Sequence, residues 1–213
     1  SASLPAADRP AAACVLVFAE RLAALGDVES ARTWVAEAAT FAIAPHDPVT
    51  GPLAVELAAR GVVAESALPL ELRLELAARR RESPPAVDPA ALERQAPSGG
   101  ALDAKHALLW HTLVDPGGAP AKALLARLLG AADHDPIIAF ALARAALAAP
   151  PPSKVDDWAP VLRAIAASPT HPLLLAAAIE IAMRSGRPED VTPARARLLA
   201  VARTPAERAL ASE

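Results

Sequence analysis

The sequence predicts an all-α fold: an α-solenoid of degenerate antiparallel helical hairpins, with about ten helices. Three observations carry this. Alanine, leucine, arginine and glutamate are abundant, and all four favour helix. Apolar residues recur at spacings of three and four and rarely alternate. Glycine is scarce, at 9 of 213 residues, while the 22 prolines sit mostly between apolar runs, where they punctuate helices.

The elements follow in chain order. Residues 1–9 read as a leader. Ala11 to Leu25 carries Val15, Phe18, Leu22 and Leu25 at helical spacing, and Gly26-Asp27 breaks it. Glu29 to Ala44 resumes with Ala31, Trp34, Val35, Ala38 and Phe41 on one broad face, until Pro45 stops it. Further helices are expected over Pro52–Arg60, Leu68–Arg81, Pro89–Gln95, Asp103–Val114, Pro120–Ala131 and Pro136–Ala149. Val155–Ala167, Pro172–Ser185, Glu189–Ala202 and a tail at Pro205–Ser212 complete the set. Pro136–Ala149 and Pro172–Ser185 are apolar nearly all round, so they belong at the centre. Leu68–Arg81 and Glu189–Ala202 carry charge and belong outside. The whole chain, 1–213, reads as one helical-repeat domain. Residues 12–81 form N-terminal hairpins, 82–102 an irregular connection rich in proline, glycine and charge, and 103–213 the C-terminal hairpins and capping helix.

The tripeptide His-Asp-Pro occurs at 46–48 and 134–136, with a looser copy at Thr170-His171-Pro172. A histidine beside an aspartate invites a catalytic or metal-binding reading. Proline, however, suits the first helical turn, where its missing N–H is not needed. An aspartate before it accepts bonds from the free amides of that turn. The third copy keeps the proline and loses the aspartate, as a helix boundary would allow and a shared catalytic role would not. His46 and His134 are therefore expected in loops at helix entrances, and Asp88-Pro89 marks another such start. The prolines at 48, 89, 136 and 172 are spaced 41, 47 and 36 residues apart, each about one helical hairpin with its loops.

Residues 12–45 resemble a tetratricopeptide repeat. Val15, Phe18 and Leu22 are its large apolar positions, and Ala19 is small where two helices must approach. Gly26-Asp27 makes the turn, Ala31 and Ala38 are the small positions of the second helix, Val35 is its large one, and Pro45 closes the unit. Small residues on facing positions let antiparallel helices pack closely while large neighbours fill the grooves. A partial echo lies in the last helical pair, where Gly186 is the turn and Pro193 falls in the second helix, predicting a shortened or kinked partner. The resemblance implies protein–protein interaction through a groove lined by first helices, here at Ala13, Leu16, Glu20 and Ala23. Those positions lack the basic and amide residues that clamp a peptide carboxylate, so the implied partner is an apolar helix or extended peptide of another protein.

The rest of the sequence argues against most chemistry. A net charge of −3 leaves no electrostatic footprint for nucleic acid. Arg79-Arg80-Arg81 reads as the cationic last turn of a helix. Cys14, the one cysteine, permits no internal disulfide or thiolate metal cluster and reads as a small buried hydrophobe. His106 and His111 lie five apart, about 140° around a helix, and do not converge on a metal. His106 and Trp110 share a face as a packing or surface pair. Asp103 and Asp156-Asp157 read as helix starts. No phosphate loop, dinucleotide fingerprint or nucleophile elbow occurs. Trp34, Trp110 and Trp158 read as core residues, with an interface anchor as the sharper option. No segment reads as a transmembrane helix, and a chain beginning at Ser1 is expected to have been processed or trimmed.

The leading functional expectation is therefore a non-enzymatic interaction or scaffold module, without cofactor or metal. The alternative is an all-α ligand-binding regulatory domain or small enzyme, which a closed pocket with two or more convergent charged groups would favour. A purely structural domain of a longer protein is the third.

Overall fold

The computed structural model describes residues 9–37, 50–94, 104–150 and 158–202, together with 208, 209 and 211. Every described element is helical, and no strand occurs among these residues. The helices are α1 (Arg9–Ala24), α2 (Val28–Glu37), α3 (Thr50–Ala59), α4 (Leu70–Arg80), α5 (Pro89–Arg94), α6 (Ala104–Val114), α7 (Ala119–Leu128), α8 (Pro136–Ala148), α9 (Ala159–Ala167), α10 (Pro172–Arg184) and α11 (Pro188–Val201). Single 3-10 turns cover Glu65–Ala67 and Leu129–Ala131. The periodicity and the proline boundaries thus locate these helices to within a few residues, except that the expected end of the second one, over 38–44, lies outside the described residues. His46-Asp47-Pro48, Ala38, Asp103 and Asp156-Asp157 lie outside the described residues, as does most of the Pro205–Ser212 tail.

The boundaries follow the expected chemistry. Asp135 precedes α8, and its Oδ1 accepts from the amides of Ile137 at 2.9 Å and Ile138 at 3.4 Å, with Pro136 in the first turn. Asp88 caps α5 in the same way, accepting from the Ala90 amide at 2.9 Å. Asp27 opens α2 by accepting from the Ser30 amide at 3.1 Å. His171 stands at the start of α10 without a side-chain cap bond, and Pro172 follows it. His134 is exposed in the loop before α8.

The C-terminal ends show a shared device. After α1, Asp27 N–H donates to Leu22 O and Gly26 N–H to Ala23 O. The same pair of bonds closes α3 at Gly61, α10 at Gly186 and α4 at Arg81. This motif requires a left-handed residue after the last turn, which glycine adopts without a Cβ clash. Gly26, Gly61 and Gly186 have φ of 90°, 72° and 64°. Arg81 has φ 55° and is a non-glycine at the same position, where an L-residue costs about 1–2 kcal/mol.

The chain divides into two compact units, Ser1–Leu76 and Ala77–Glu213, with the division falling inside α4. In the first unit α1 packs on α2 and on α3. Ala19 and Ala31 are fully buried between the first two helices, at the small positions that the repeat resemblance assigns to close approach. Around them lie Leu16, Ala54, Val55, Leu57, Leu72 and Leu76. Arg32 ties α2 to the end of α3, its Nε and Nη2 both donating to Gly61 O at 3.1 and 2.9 Å.

In the second unit α6 packs on α7, α8 on α9 and α10 on α11, while α8 also packs on α6 and on α10. α5 packs on α6, so the expected irregular connection carries a helix of its own against the fold. The two helices read as apolar all round are indeed central: α8 buries seven residues and α10 eight. α11 buries only Val191 and Leu198 and is an outer helix.

Several local expectations are corrected. α4 is not an outer helix, since Leu72, Leu74, Leu76, Ala77, Ala78 and Arg79 are all buried. Its other charged residues, Glu71, Arg73, Glu75 and Arg80, are themselves half-buried. α11 is not shortened, because its 14 residues run continuously past Pro193. Cys14 is exposed, not a buried hydrophobe. Phe18 and Trp34 are 46% and 43% exposed and meet edge to face, ring centroids 5.0 Å apart, on the surface and not in the core. Trp158 is buried, whereas Trp110 is half-buried and donates from Nε1 to Pro85 O at 3.2 Å. The ring partner of Trp110 is His111, at 5.1 Å and edge on, while His106 is buried one turn earlier.

Candidate functional site

The four residues expected to line a groove form one stripe along α1. Leu16 and Ala23 are buried in the core of the first unit and offer no surface to a ligand. Ala13 is half-buried. Glu20 is directed toward the end of α3, where its carboxylate lies 3.4 Å from Arg60 Nη2. The stripe is taken up by packing because α3 lies against α1, a long-range pairing that local sequence does not encode.

Open apolar surface occurs instead in the second unit. A cleft of about 490 Å³ is bounded by α9, α10 and α11. Each wall follows from helical spacing. α10 contributes Leu175, Ala178, Ile181 and Ala182, and α11 contributes Asp190, Pro193, Ala194 and Arg197. α9 adds Leu162 and Ile165, and Trp158, in the turn before it, also lines the cleft. The alanines and Pro193 matter because short side chains leave a trough where longer ones would interdigitate. Three charges border the trough. Arg187 pairs with Asp190 at 2.6 Å and lies 3.8 Å from Glu189. Arg197 has no ion-pair partner among the described residues and leaves the lining with a net positive charge.

A second, smaller cleft of about 180 Å³ lies among α6, α8, α10 and the end of α4. Its walls are apolar at Ala78, Leu113, Phe140, Leu173, Ala176 and Ala177. At its mouth two guanidiniums share one carboxylate: Arg81 Nη2 lies 2.8 Å from Glu180 Oε1, and Arg144 Nη1 lies 3.1 Å from Glu180 Oε2. The charge count is otherwise even, since Glu82 also lines the cleft and faces Arg80 at 3.9 Å. Thr112 is engaged within its own helix, donating to Leu108 O at 2.8 Å.

Neither cleft was singled out by sequence reasoning as a site. Trp158 was legible as core, and it is buried; it is also among the residues that line the larger cleft. Arg144 and Glu180 were legible only as the charged interruptions of two otherwise apolar helices. Their meeting across 36 residues is a consequence of α8 packing on α10.

Among the described residues no three His, Cys, Asp or Glu side chains converge to hold a metal, and no helix is long and apolar enough to cross a membrane. No family model, curated protein or solved structure matches the chain.

Proposed function

We propose that this chain is a tetratricopeptide-like helical-repeat module that binds another protein and carries out no chemistry of its own. The cleft among α9, α10 and α11 carries this reading: it is mostly apolar and, at about 490 Å³, large enough for side chains of a docked segment. The repeat reading has its own support. α6, α8 and α10 begin at residues 104, 136 and 172, intervals of 32 and 36, close to the ~34-residue period of that family. Each of these first helices packs on the next, and each is followed by a second helix packed on it. The turn residues Gly26 and Gly186, and the fully buried Ala19 and Ala31, stand where such hairpins need them.

The occupant is an amphipathic helix or extended segment with apolar anchors and an acidic residue. The apolar walls take the anchors, and Arg197, which has no ion-pair partner among the described residues, takes the carboxylate. Selection of peptides from a random displayed library against the folded chain tests this. Enriched sequences are expected to carry clustered apolar residues with Asp or Glu beside them. Ala178→Arg, which projects a long charged side chain into the trough, is expected to abolish their binding. Arg197→Glu is expected to turn the preference from acidic to basic peptides. Peptides that bind Ala178→Arg undiminished, or an acidic preference that survives Arg197→Glu, would refute the proposal.

A further inference from the structure

We infer that the exposed face of the α1–α2 hairpin is an interface between two copies of this chain, related by a two-fold axis. The face belongs to the first unit and is independent of the protein-binding cleft among α9, α10 and α11.

α1 is apolar on more than one face. Leu16, Ala19 and Ala23 are buried in the core of the first unit. Cys14, Val17, Phe18, Arg21 and Leu25 recur at spacings of three and four, share a second face, and are all exposed. Val17 is 49% exposed, and Leu25, in the turn after the helix, 73%. Trp34 of α2 extends the patch, its ring edge-on to Phe18. Of the eight large hydrophobic side chains exposed among the described residues, four (Val17, Phe18, Leu25 and Trp34) lie in this hairpin. Scattered exposed hydrophobics need no explanation, but adjoining ones mark a surface that meets another. The two rings brace each other before a partner arrives, so little side-chain freedom is lost on association. Tryptophan and arginine are also the residue types enriched where interfaces draw most of their energy.

The charges on the face choose its occupant. Arg21 lies one helical turn before Leu25, and Asp27 two residues after it. Both are exposed, and neither has an ion-pair partner among the described residues. Asp27 accepts from the Ser30 amide at 3.1 Å, a bond that leaves its negative charge in place. A surface carrying a single sign of charge would attract one of the two and repel the other. A second copy answers both. In a two-fold contact the same patch meets itself, so that if one residue meets another, the second also meets the first. Arg21 of each copy then faces Asp27 of the other, and two ion pairs flank an apolar centre of Phe18, Leu25 and Trp34.

Sedimentation velocity of the full chain reads this directly, run from about 1 μM to about 1 mM. Reductant is present, so that no disulfide through Cys14 contributes. A monomer–dimer equilibrium is expected, stopping at two copies because a two-fold contact closes on itself. Trp34→Ala is expected to weaken the dimer by about tenfold or more. Leu25→Gln, in an exposed turn, reads the same face should Trp34→Ala fold poorly, which its urea midpoint would reveal. Arg21→Gln and Asp27→Asn test the pairing, and the asparagine retains the cap on α2. Each is expected to weaken the dimer by about fivefold, since the symmetry removes two ion pairs at once. The double variant is expected to be little weaker than either, because the first change already removes the partner of the second. A chain that stays monomeric throughout overturns the proposal and leaves the face to a different protein. It is overturned equally by association beyond two copies, by a dimer indifferent to both Trp34→Ala and Leu25→Gln, or by additive losses from Arg21→Gln and Asp27→Asn.

Discussion

Arg81 and Gly186 occupy the same structural position in two helix ends, and exchanging their side chains tests whether backbone conformation governs stability there. Gly186 has φ 64°, and a Cβ built on it would meet nothing within 4 Å. The Gly186→Ala change therefore introduces no collision, only the left-handed penalty of about 1–2 kcal/mol. Alanine also restricts the unfolded chain, which returns about 0.4–1 kcal/mol. The net loss is about 0.5–1 kcal/mol. Arg81 runs the other way. Arg81→Ala keeps the strain and removes the bond to Glu180, a solvent-screened contact contributing about 0.2–1 kcal/mol. Arg81→Gly removes the same bond but also relieves the strain, and after the unfolded-state term it should lie about 0.5–1 kcal/mol above Arg81→Ala. Elsewhere in a helix glycine is the less stable of the two, so the sign is diagnostic. Urea denaturation followed by far-ultraviolet circular dichroism, with slopes compared to verify a common unfolding transition, reads all three variants. If Arg81→Ala equals or exceeds Arg81→Gly, conformational strain at Arg81 is not what the helix end costs.

Asp135 holds two free amides of α8 and also receives Lys105 Nζ at 3.0 Å, so Asp135→Ala removes a cap and strands a part-buried ammonium. A loss of about 2 kcal/mol is expected in the urea midpoint, with Asp135→Asn intermediate because it retains the cap. Asp27 has its pKa lowered below the ordinary carboxylate value, first by the Ser30 hydroxyl and then by the Ser30 amide. A depressed folded-state pKa means stability that is present above the unfolded value, near pH ~4, and lost as pH falls through the folded value. The melting temperature of the native chain should therefore exceed that of Asp27→Asn at neutral pH, and the gap should close on acidification; a gap constant down to pH ~2 would contradict the assignment.

The sequence was most informative where a local rule sufficed. A proline or an aspartate acts on its own first turn, and a glycine on its own backbone, so Asp88, Asp135, Gly26 and Gly186 announced helix ends without knowledge of anything distant. The same locality explains Ala19 and Ala31: two helices joined by a three-residue turn must face each other, so their small residues could be paired by eye. Arg81 is the exception at a helix end. Its left-handed conformation follows the motif, but no rule of composition would place an arginine there, and its ion pair with Glu180, 99 residues away, was not legible in the sequence.

What only tertiary structure decided was which apolar faces remain open. Periodicity identifies a face that must leave water, but the hydrophobic effect has no direction and does not name the neighbour. Leu16 and Ala23 had the spacing of groove residues, and α3 covered them; Ala178 and Ile181 had the spacing of core residues, and the short side chains of α11 left a cleft beside them. Charge behaves alike. Arg144 and Glu180 are isolated interruptions in the chain and become one cluster only because α8 lies against α10. Helix content and helix ends are properties of the local chain, and the sequence by itself determined them; clefts and charge clusters are properties of helix pairs, formed by contacts between residues far apart in sequence, and the packing alone decided them.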